Sequence, residues 1–256
     1  MRIAVDGIYF DPGGPFWESE LIALAAAVGA DGVNWPLKAD HGGQFDHAAD
    51  AAPWLEDQAV AVVSLGLTKQ LSATPGAEQE FRDFVRYGLE VATALGVTVL
   101  DCWPYKPPEV SKADARAVLT SNIEAVLPEV EAVGCVLTFE FEPDTTIERY
   151  GEAVEFIRPF GPAARLTADT YHIVRIGDEL VPAAETIADR FGIIHLSGSH
   201  RGEPGSEGDQ CDHAAFVQAA LRGGYAGDLV LQYAPPEDRA QSLQRAVAVA
   251  RAAAGM

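Results

Sequence analysis

Residues 78–140 read EQEFRDFVRYGLEVATALGVTVLDCWPYKPPEVSKADARAVLTSNIEAVLPEVEAVGCVLTFE, and this stretch decides the fold. Two segments rich in alanine, leucine and glutamate, Glu78–Leu95 and Lys112–Ala132, are each followed within two residues by a glycine and then by a short β-rich run. Glycine just after a helical segment is a common helix stop, and runs of valine and threonine favour strands. The repeated order of helix and strand predicts parallel strands connected by helices.

The same alternation extends to both ends of the chain. The predicted strands are Arg2–Ile8, Gly32–Trp35, Val60–Leu65, Val97–Asp101, Cys135–Glu140, Arg165–Asp169, Gly192–Leu196 and Leu229–Gln232. The predicted helices are Glu18–Val28, Asp46–Gln58, Glu78–Leu95, Lys112–Ala132, Thr146–Phe160, Leu180–Phe191, His213–Arg222 and Pro236–Ala254. Eight such units of about 30 residues indicate closure into a barrel. We therefore predict an α/β fold, a single (β/α)₈ TIM barrel forming one domain over residues 1–256. An open doubly wound sheet is the alternative, but no glycine-rich dinucleotide turn follows the first strand.

Composition narrows the class of protein. The 256 residues are 48% hydrophobic and carry a net charge of −20, which allows a large core and disfavours nucleic acid and anionic membranes as partners. The start, MRIAVDGIYF, is typical of a strand rather than of a signal peptide, and no apolar run approaches the roughly 20 residues that cross a bilayer. Three widely spaced cysteines, Cys102, Cys135 and Cys211, suit reduced thiols. We expect a cytoplasmic protein and leave assembly into a homo-oligomer open.

Two glutamates close the fifth predicted strand. Glu140 and Glu142 are two residues apart and alternate with Phe139 and Phe141, so both carboxylates share one face of the strand. If the aromatic rings face the helices, the carboxylates point into the barrel, where burial is costly without a metal ion or a hydrogen-bond partner. The alternative is a pair of solvated charges at the strand end.

Three further polar residues close the next strands. Asp169 ends the sixth strand with His172 three residues later, His195 lies in the seventh, and Gln232 ends the eighth. Asp is also a common helix N-cap, and a histidine in an apolar strand is usually a core residue, so each signal alone is weak. We expect Glu140, Asp169 and His195 at the same height in the barrel. This set suits one divalent ion, Mn²⁺, Co²⁺, Zn²⁺ or Mg²⁺, and the Gln232 amide oxygen is a further donor.

Side chains on the loops are expected to rim the mouth of the barrel. These are Trp35, His41, Trp103, Tyr105 and Lys106, with substrate contact as their expected role. Lys106 and Arg201 are candidate partners for a phosphate or carboxylate, although no glycine-rich phosphate cradle supports that choice.

Four motifs, in this order, resemble one known family. They are Glu140-Phe141-Glu142-Pro143; Asp169-Thr170-Tyr171-His172 followed by Arg175 and Gly177; His195 to Arg201 leading to Pro204-Gly205; and Gly224–Gly227. They resemble the xylose-isomerase-like barrels, a group of sugar phosphate isomerases and epimerases. Ketose 3-epimerases, inosose isomerases and dehydratases, hydroxypyruvate isomerase and, more distantly, endonuclease IV belong to this group. The resemblance extends from Arg2 to about Arg251 and is densest between Gly134 and Tyr233.

The resemblance implies a metal-dependent isomerase or epimerase acting on a sugar, a sugar phosphate or a related hydroxy-carbonyl compound. It places the metal ligands at Glu140, Asp169, His195 and Gln232. The catalytic residues it implies are Glu140, His172 and Arg201. The expected substrate contacts are Glu142, His172, Arg175, His200, Arg201, Trp103 and Lys106.

Two positions depart from the family pattern. Gln232 stands where the family usually has a glutamate that ligates metal and exchanges a proton, and Asn34 stands where many relatives carry a glutamate. An amide takes up no proton near neutral pH, so proton exchange by two carboxylates is in doubt. A dehydratase or lyase of the same family, or a catalytically silent sugar-binding relative, therefore stays open.

Overall fold

The computed structural model describes residues 1–38 and 42–256. Eight parallel strands follow one another in sequence order and close into a barrel, with the eighth strand hydrogen-bonded to the first. This architecture confirms the predicted (β/α)₈ barrel. The strands are β1 (Ile3–Asp6), β2 (Gly32–Leu37), β3 (Ala61–Leu67), β4 (Val99–Cys102), β5 (Val136–Glu140), β6 (Ala164–Asp169), β7 (Phe191–Leu196) and β8 (Leu229–Leu231).

Helices connect the strands on the outside of the barrel. They are α1 (Gly7–Phe10), α2 (Trp17–Ala27), α3 (Ala52–Leu55), α4 (Glu78–Leu95), α5 (Lys112–Ala132), α6 (Tyr150–Ile157), α7 (Thr170–Arg175), α8 (Leu180–Ile187), α9 (His213–Arg222) and α10 (Arg239–Ala254). Two 3₁₀ helices span Ala48–Ala51 and Ala188–Arg190. The bounds of α4, α5 and α9 are those that the sequence predicted.

Other predicted helices are shorter than expected, for local reasons. The helix predicted over Asp46–Gln58 is a 3₁₀ turn followed by α3, with a proline in the first turn of α3, where the missing N–H costs nothing. Before α6, the Thr146 hydroxyl donates to the Pro104 carbonyl at 3.0 Å, which holds the loop and delays the helix. Before α10, the Asp238 carboxylate caps Gln241 N at 3.2 Å, so the helix begins after the two prolines.

Two short helices at the ends of strands were not predicted. Asp6 closes β1 and caps α1, accepting hydrogen bonds from Ile8 N and Tyr9 N. Asp169 closes β6 and caps α7, accepting from Tyr171 N at 2.8 Å. Helices of four and six residues leave no periodic pattern in a sequence. Their caps fix both carboxylates at the carboxyl ends of the strands.

The core has two parts, as the alternation of strand side chains requires. Ile3 and Val5 face outward into the large core between strands and helices, whereas Ala4 faces inward to a small cluster with Val63, Ile193 and Val230. Towards the carboxyl ends of the strands the buried residues become polar. These residues include Asp6, Asn34, Ser64, Asp101, Thr138, Glu140, Thr167, Asp169, His195 and Gln232.

Two further expectations concern thiols and membranes. Cys102, Cys135 and Cys211 are all free cysteines, with Cys102 and Cys135 buried. Within residues 1–38 and 42–256, no helix is both long enough and apolar enough to cross a bilayer.

Candidate active site

A cavity of about 570 Å³ opens at the carboxyl ends of the strands, which is the expected place for a site in this fold. This volume is in the range of pockets that enclose small molecules. The lining residues are Ile8, Tyr9, Leu67, Thr68, Gln70, Asp101, Trp103, Glu140, Glu142, Tyr171, His172, Arg175, Arg201 and Gln232. Both glutamates of the fifth strand therefore face the cavity, and Phe139 and Phe141 are fully buried on the opposite face, as predicted.

The strand register sets the relative heights of the predicted ligands. Asp169 pairs with His195 in the β6–β7 ladder, as expected. Glu140 pairs with Thr167 instead, two residues before Asp169. The prediction that all three lie at the same height is therefore wrong for Glu140, because neighbouring strands of a barrel are staggered.

His195 lies between two carboxylates. Its Nδ1 atom is 3.6 Å from Glu140 Oε1, and its Nε2 atom is 3.4 Å from Asp101 Oδ2. Thr138 donates a hydrogen bond to the other Asp101 oxygen at 2.8 Å, so Oδ2 is left to face the imidazole. Burial lowers the pKa of His195, but the charges of Asp101 and Glu140 outweigh it and raise this pKa to about 10. Asp101 thereby orients His195, in the way that carboxylates behind metal-binding histidines do.

His172 links Glu140, the last residue of β5, with Glu142 two residues later. Its Nε2 atom is 2.9 Å from Glu142 Oε2 and 3.9 Å from Glu140 Oε1. Burial raises the pKa of Glu142, and the neighbouring Glu140 charge adds to this, so that it reaches about 7 despite His172. Burial also acts to raise the pKa of Glu140, but His172, His195 and Arg201 outweigh it and lower this pKa to about 2. Two carboxylates in one cavity thus differ in proton affinity, which suits separate acid and base roles.

Arg201 bridges two of the predicted metal ligands. Its guanidinium donates to Asp169 Oδ2 and, at 3.0 Å, to Gln232 Oε1. It also donates to the Tyr9 hydroxyl at 2.9 Å. Arg201 has a φ of 62°, a left-handed conformation that non-glycine residues rarely adopt and that is often found at functional sites.

The donor set fits a divalent cation. Among the described residues, the buried atoms without a hydrogen-bond partner include Glu140 Oε1 and both ring nitrogens of His195. Single donor atoms of Glu140, Asp169 and His172 all lie within 4.8 Å of one another. Carboxylate oxygens and imidazole nitrogens are common ligands for Zn²⁺ and Mn²⁺. His195 lies next to this group, because its Nδ1 atom is near Glu140 Oε1. Gln232 is connected to it by Arg201, which donates to both Asp169 and Gln232.

Not every predicted substrate contact lies in the cavity. Trp103 and Arg175 line it, but Lys106 and His200 are absent from the described lining. The Lys106 ammonium donates instead to the Pro107 and Val110 carbonyls, both at 3.3 Å. His200 is exposed, and its Nε2 atom lies 3.2 Å from the Ser206 hydroxyl.

Three other residues were expected at the rim of the barrel, namely Trp35, Tyr105 and His41. Trp35 is fully buried in β2 against Trp17, with ring centroids 5.0 Å apart, so its placement at the rim was wrong. Its bulky ring belongs to the apolar layer beneath the helices. Tyr105 packs on Trp103 outside the described lining. His41 lies outside the described residues.

Sequence reasoning missed Asp6, Tyr9 and Asp101. Tyr9 and Asp101 line the cavity, and Asp6 contacts Gln232 behind its wall. An aspartate at a strand end was the one available signal, and Asp6 and Asp101 both carry it. Tyr9 has no such signal, because its contact with Arg201 joins residues 192 positions apart.

A second group of possible ligands consists of Asp209 and Cys211, in the loop before α9, and His213, the first residue of α9. The two carboxylate oxygens of Asp209 accept four hydrogen bonds, three of them from backbone N–H groups. The fourth donor is His213 Nε2, at 2.8 Å. Asp209 therefore already serves as the acceptor that closes this loop.

Comparison with known proteins agrees with this fold. A hydroxypyruvate isomerase from Escherichia coli (strain K12) is 28% identical over 144 residues, which are 53% of this chain and 56% of that protein. The chain thus matches little more than half the length of this curated relative. Among solved structures, an L-ribulose 3-epimerase superimposes with a TM-score of 0.85 at 17% identity, covering 99% of this chain and 96% of that one. The IOLI protein with a binding zinc atom gives a TM-score of 0.75 at 15% identity, covering 99% and 96% of the two chains.

At these identities the two solved structures show a shared fold. A family model described as xylose isomerase-like TIM barrel matches residues 22–252, nearly the whole chain. The match includes strands β2–β8 of the closed barrel and all the motifs of the fifth to eighth strands. The chain belongs to the xylose isomerase-like TIM barrel family.

Proposed function

We propose that this protein is a metal-dependent isomerase of a small sugar, sugar phosphate or related hydroxy-carbonyl compound. The observation that carries the proposal is that the carboxylate of Glu140 and the neutral amide of Gln232 line the same cavity. Epimerisation inverts one carbon and needs proton transfer on both of its faces. Isomerisation moves a proton to the neighbouring carbon on one face, so one base is sufficient.

Glu140 is the base in this proposal. Its Oε1 atom is buried without a hydrogen-bond partner among the described residues, so it is free to take a proton from a carbon next to a carbonyl. The imidazoles of His172 and His195 hold the carboxylate in place at 3.9 and 3.6 Å. The same carboxylate then returns the proton to the adjacent carbon.

Glu142 and His172 would serve the substrate oxygens. Isomerisation also requires a proton to pass from the hydroxyl oxygen to the carbonyl oxygen. A carboxyl group with a pKa of about 7, hydrogen-bonded to an imidazole at 2.9 Å, can give and take that proton near neutral pH. Arg201 and the Tyr9 hydroxyl lie on the same cavity wall and would orient the oxyanion that develops.

A divalent ion fits beside these groups. Glu140, Asp169, His195 and Gln232 would hold it, which is the ligand set that the family resemblance implies. When bound, such an ion polarises the carbonyl and hydroxyl oxygens of the substrate. The ring nitrogens of His195, which have no hydrogen-bond partner among the described residues, support this, as does the zinc atom in the IOLI structure.

Catalysis of proton exchange is the direct test. Protein purified without chelator and supplied with Mn²⁺ is incubated in heavy water with a panel of ketoses, aldoses, inososes and hydroxy acids. We expect deuterium at one carbon beside the carbonyl together with the isomeric product, and loss of both in Glu140→Gln. Epimerisation with exchange on both faces would contradict the role given to Gln232. Elimination of water would indicate the lyase alternative, and neither reaction on any substrate would favour a binding role.

A further inference from the structure

Asp6 is a buried carboxylate behind the cavity wall. It closes β1, its residue is fully buried, and it pairs in register with Asn34 of β2. Asn34 in turn pairs with Ser64 of β3. These three side chains form a polar row across the first three strands, beside the end of β8.

In this row, Asp6 only accepts hydrogen bonds, and the two neighbouring amide groups both donate to it. Asp6 accepts from backbone N–H groups of α1, from Asn34 Nδ2 at 3.3 Å and from Gln232 Nε2 at 2.6 Å. A carboxylate surrounded by donors acts only as an acceptor, so both amides must turn their NH₂ groups towards it. Their oxygens then point away, and both have partners there. Asn34 Oδ1 accepts from Ser64 Oγ at 2.8 Å, and Gln232 Oε1 accepts from Arg201 at 3.0 Å.

We propose that Asp6 is a positioning residue that fixes the amide of Gln232 with its carbonyl oxygen towards the active site. In this arrangement the negative charge lies behind the wall, at Asp6, and a neutral oxygen donor faces the cavity. Without Asp6, the hydrogen bond from Arg201 alone would keep the Gln232 oxygen towards the cavity, and a cation that displaces Arg201 would leave the amide free to turn its NH₂ group inward.

One carboxylate thereby accounts for two departures from the family pattern. By the family resemblance, Gln232 stands where a glutamate is usual and Asn34 where many relatives carry one. Both amides donate to the same Asp6 oxygen. Glutamate has the length of glutamine but no N–H, so a glutamate at position 232 would place an acceptor against Asp6 Oδ2 in a buried setting. Two like charges in such contact are strongly unfavourable. Asp6 and Gln232 are therefore a matched pair of acceptor and donor.

A double-mutant cycle tests this pairing. Asp6→Asn, Gln232→Glu and the double variant are compared with the unmodified chain by calorimetric titration with Mn²⁺, in the absence of substrate. We expect Asp6→Asn alone to bind Mn²⁺ about tenfold more weakly than the unmodified chain, and Gln232→Glu alone about tenfold more weakly than the double variant. Asp212→Asn combined with Gln232→Glu is the matched control, because Asp212 is the exposed cap of α9, and it should give no rescue. Additive effects, with coupling below about twofold, would overturn the proposal.

Only the titration depends on the metal in the proposed function, and the two ideas can fail separately. If the unmodified chain binds no Mn²⁺, Co²⁺ or Zn²⁺, the metal-dependent function fails. The pairing is then decided by urea unfolding of the same variants. We expect each single substitution to lower the unfolding midpoint and the double variant to recover most of the loss of Gln232→Glu. Equal midpoints for the double variant and Gln232→Glu would reject the pairing.

Discussion

Two clusters of acidic residues and histidines lie at the carboxyl end of this barrel, and they differ in how their polar atoms are satisfied. In the first, Glu140 Oε1 is buried without a partner among the described residues, although His172 and His195 are near. In the second, both oxygens of Asp209 are filled by four donors. The residue types are similar, so composition alone does not separate the two clusters.

The difference shows what each cluster is built to do. Donors that fill a carboxylate hold a loop, and a ligand must break those bonds to enter. A buried oxygen with no donor is costly unless a ligand completes it. Among the described residues, Glu140 and His172 of the first cluster line the cavity, whereas Asp169, His195 and all three residues of the second cluster do not. We therefore propose a chemical role for Glu140 and its neighbours, and loop closure for Asp209.

The largest expected effect is on turnover. Glu140→Gln keeps the shape of the side chain and removes the base, so proton exchange should fall by about 10²–10⁴-fold. Asp209→Asn is the matched change in the other cluster and should keep the exchange rate per folded molecule. Deuterium incorporation, with the folded fraction measured by circular dichroism, gives both rates. If folded Asp209→Asn protein no longer catalysed proton exchange, the assignment of different roles to the two clusters would be wrong.

The next effect is on stability. The Asp209 side chain is 2% exposed, and the substitution to Asn removes the charge that receives three backbone N–H groups. We expect Asp209→Asn to lower the free energy of unfolding by about 1–3 kcal/mol at neutral pH. Urea unfolding at equilibrium measures this loss. An unchanged midpoint would mean that the loop does not depend on its carboxylate.

More of the fold than of the candidate site could be predicted from the sequence. Alternating helix and strand patterns over the whole chain indicate a barrel, and the strand ends then locate Glu140, Asp169, His195 and Gln232. The contacts among them depend on residues far apart in the chain, such as Asp6 and Gln232, which are 226 positions apart. No local pattern reports that pairing.

Asp101 illustrates the same limit. At the end of a predicted strand it has the form of an ordinary helix cap. Its role depends on the register that places it beside Thr138 and on the approach of His195 from β7. Only the closed barrel brings these three strands together.

The Asp209 cluster should also respond to acid in a predictable direction. Burial acts to raise the pKa of Asp209, but hydrogen bonds from Ser199 N, Cys211 N, Gly205 N and His213 outweigh it and hold this pKa well below its usual range. A lowered pKa in the folded state means that the contribution is present above the unfolded pKa of about 4 and is lost as the pH falls towards the folded pKa. The stability difference between the unmodified chain and Asp209→Asn should therefore shrink below about pH 4. Urea unfolding across this range checks the sign, and a difference that grows in acid would contradict it.

The smallest effect is expected at the thiols. Burial raises the pKa of Cys211, and its Sγ atom lies 3.9 Å from the Thr170 carbonyl, which indicates an uncharged thiol rather than a ligand. Cys211→Ser should leave the metal content unchanged. Replacing Cys102 and Cys135 as well should cost about 1 kcal/mol at each buried site. Metal analysis and urea unfolding report the two effects. Loss of bound metal in Cys211→Ser would indicate that the metal is bound by Asp209, Cys211 and His213 instead.

Anomalous diffraction from crystals grown with Mn²⁺ tests the central claim most directly, because it locates the ion without reference to turnover. We predict one peak per chain, within bonding distance of Glu140 and Asp169, with His195 and Gln232 completing the ligands and Arg201 moved from between them. A peak at Asp209, Cys211 and His213, or none near Glu140 at saturating Mn²⁺, would contradict the account.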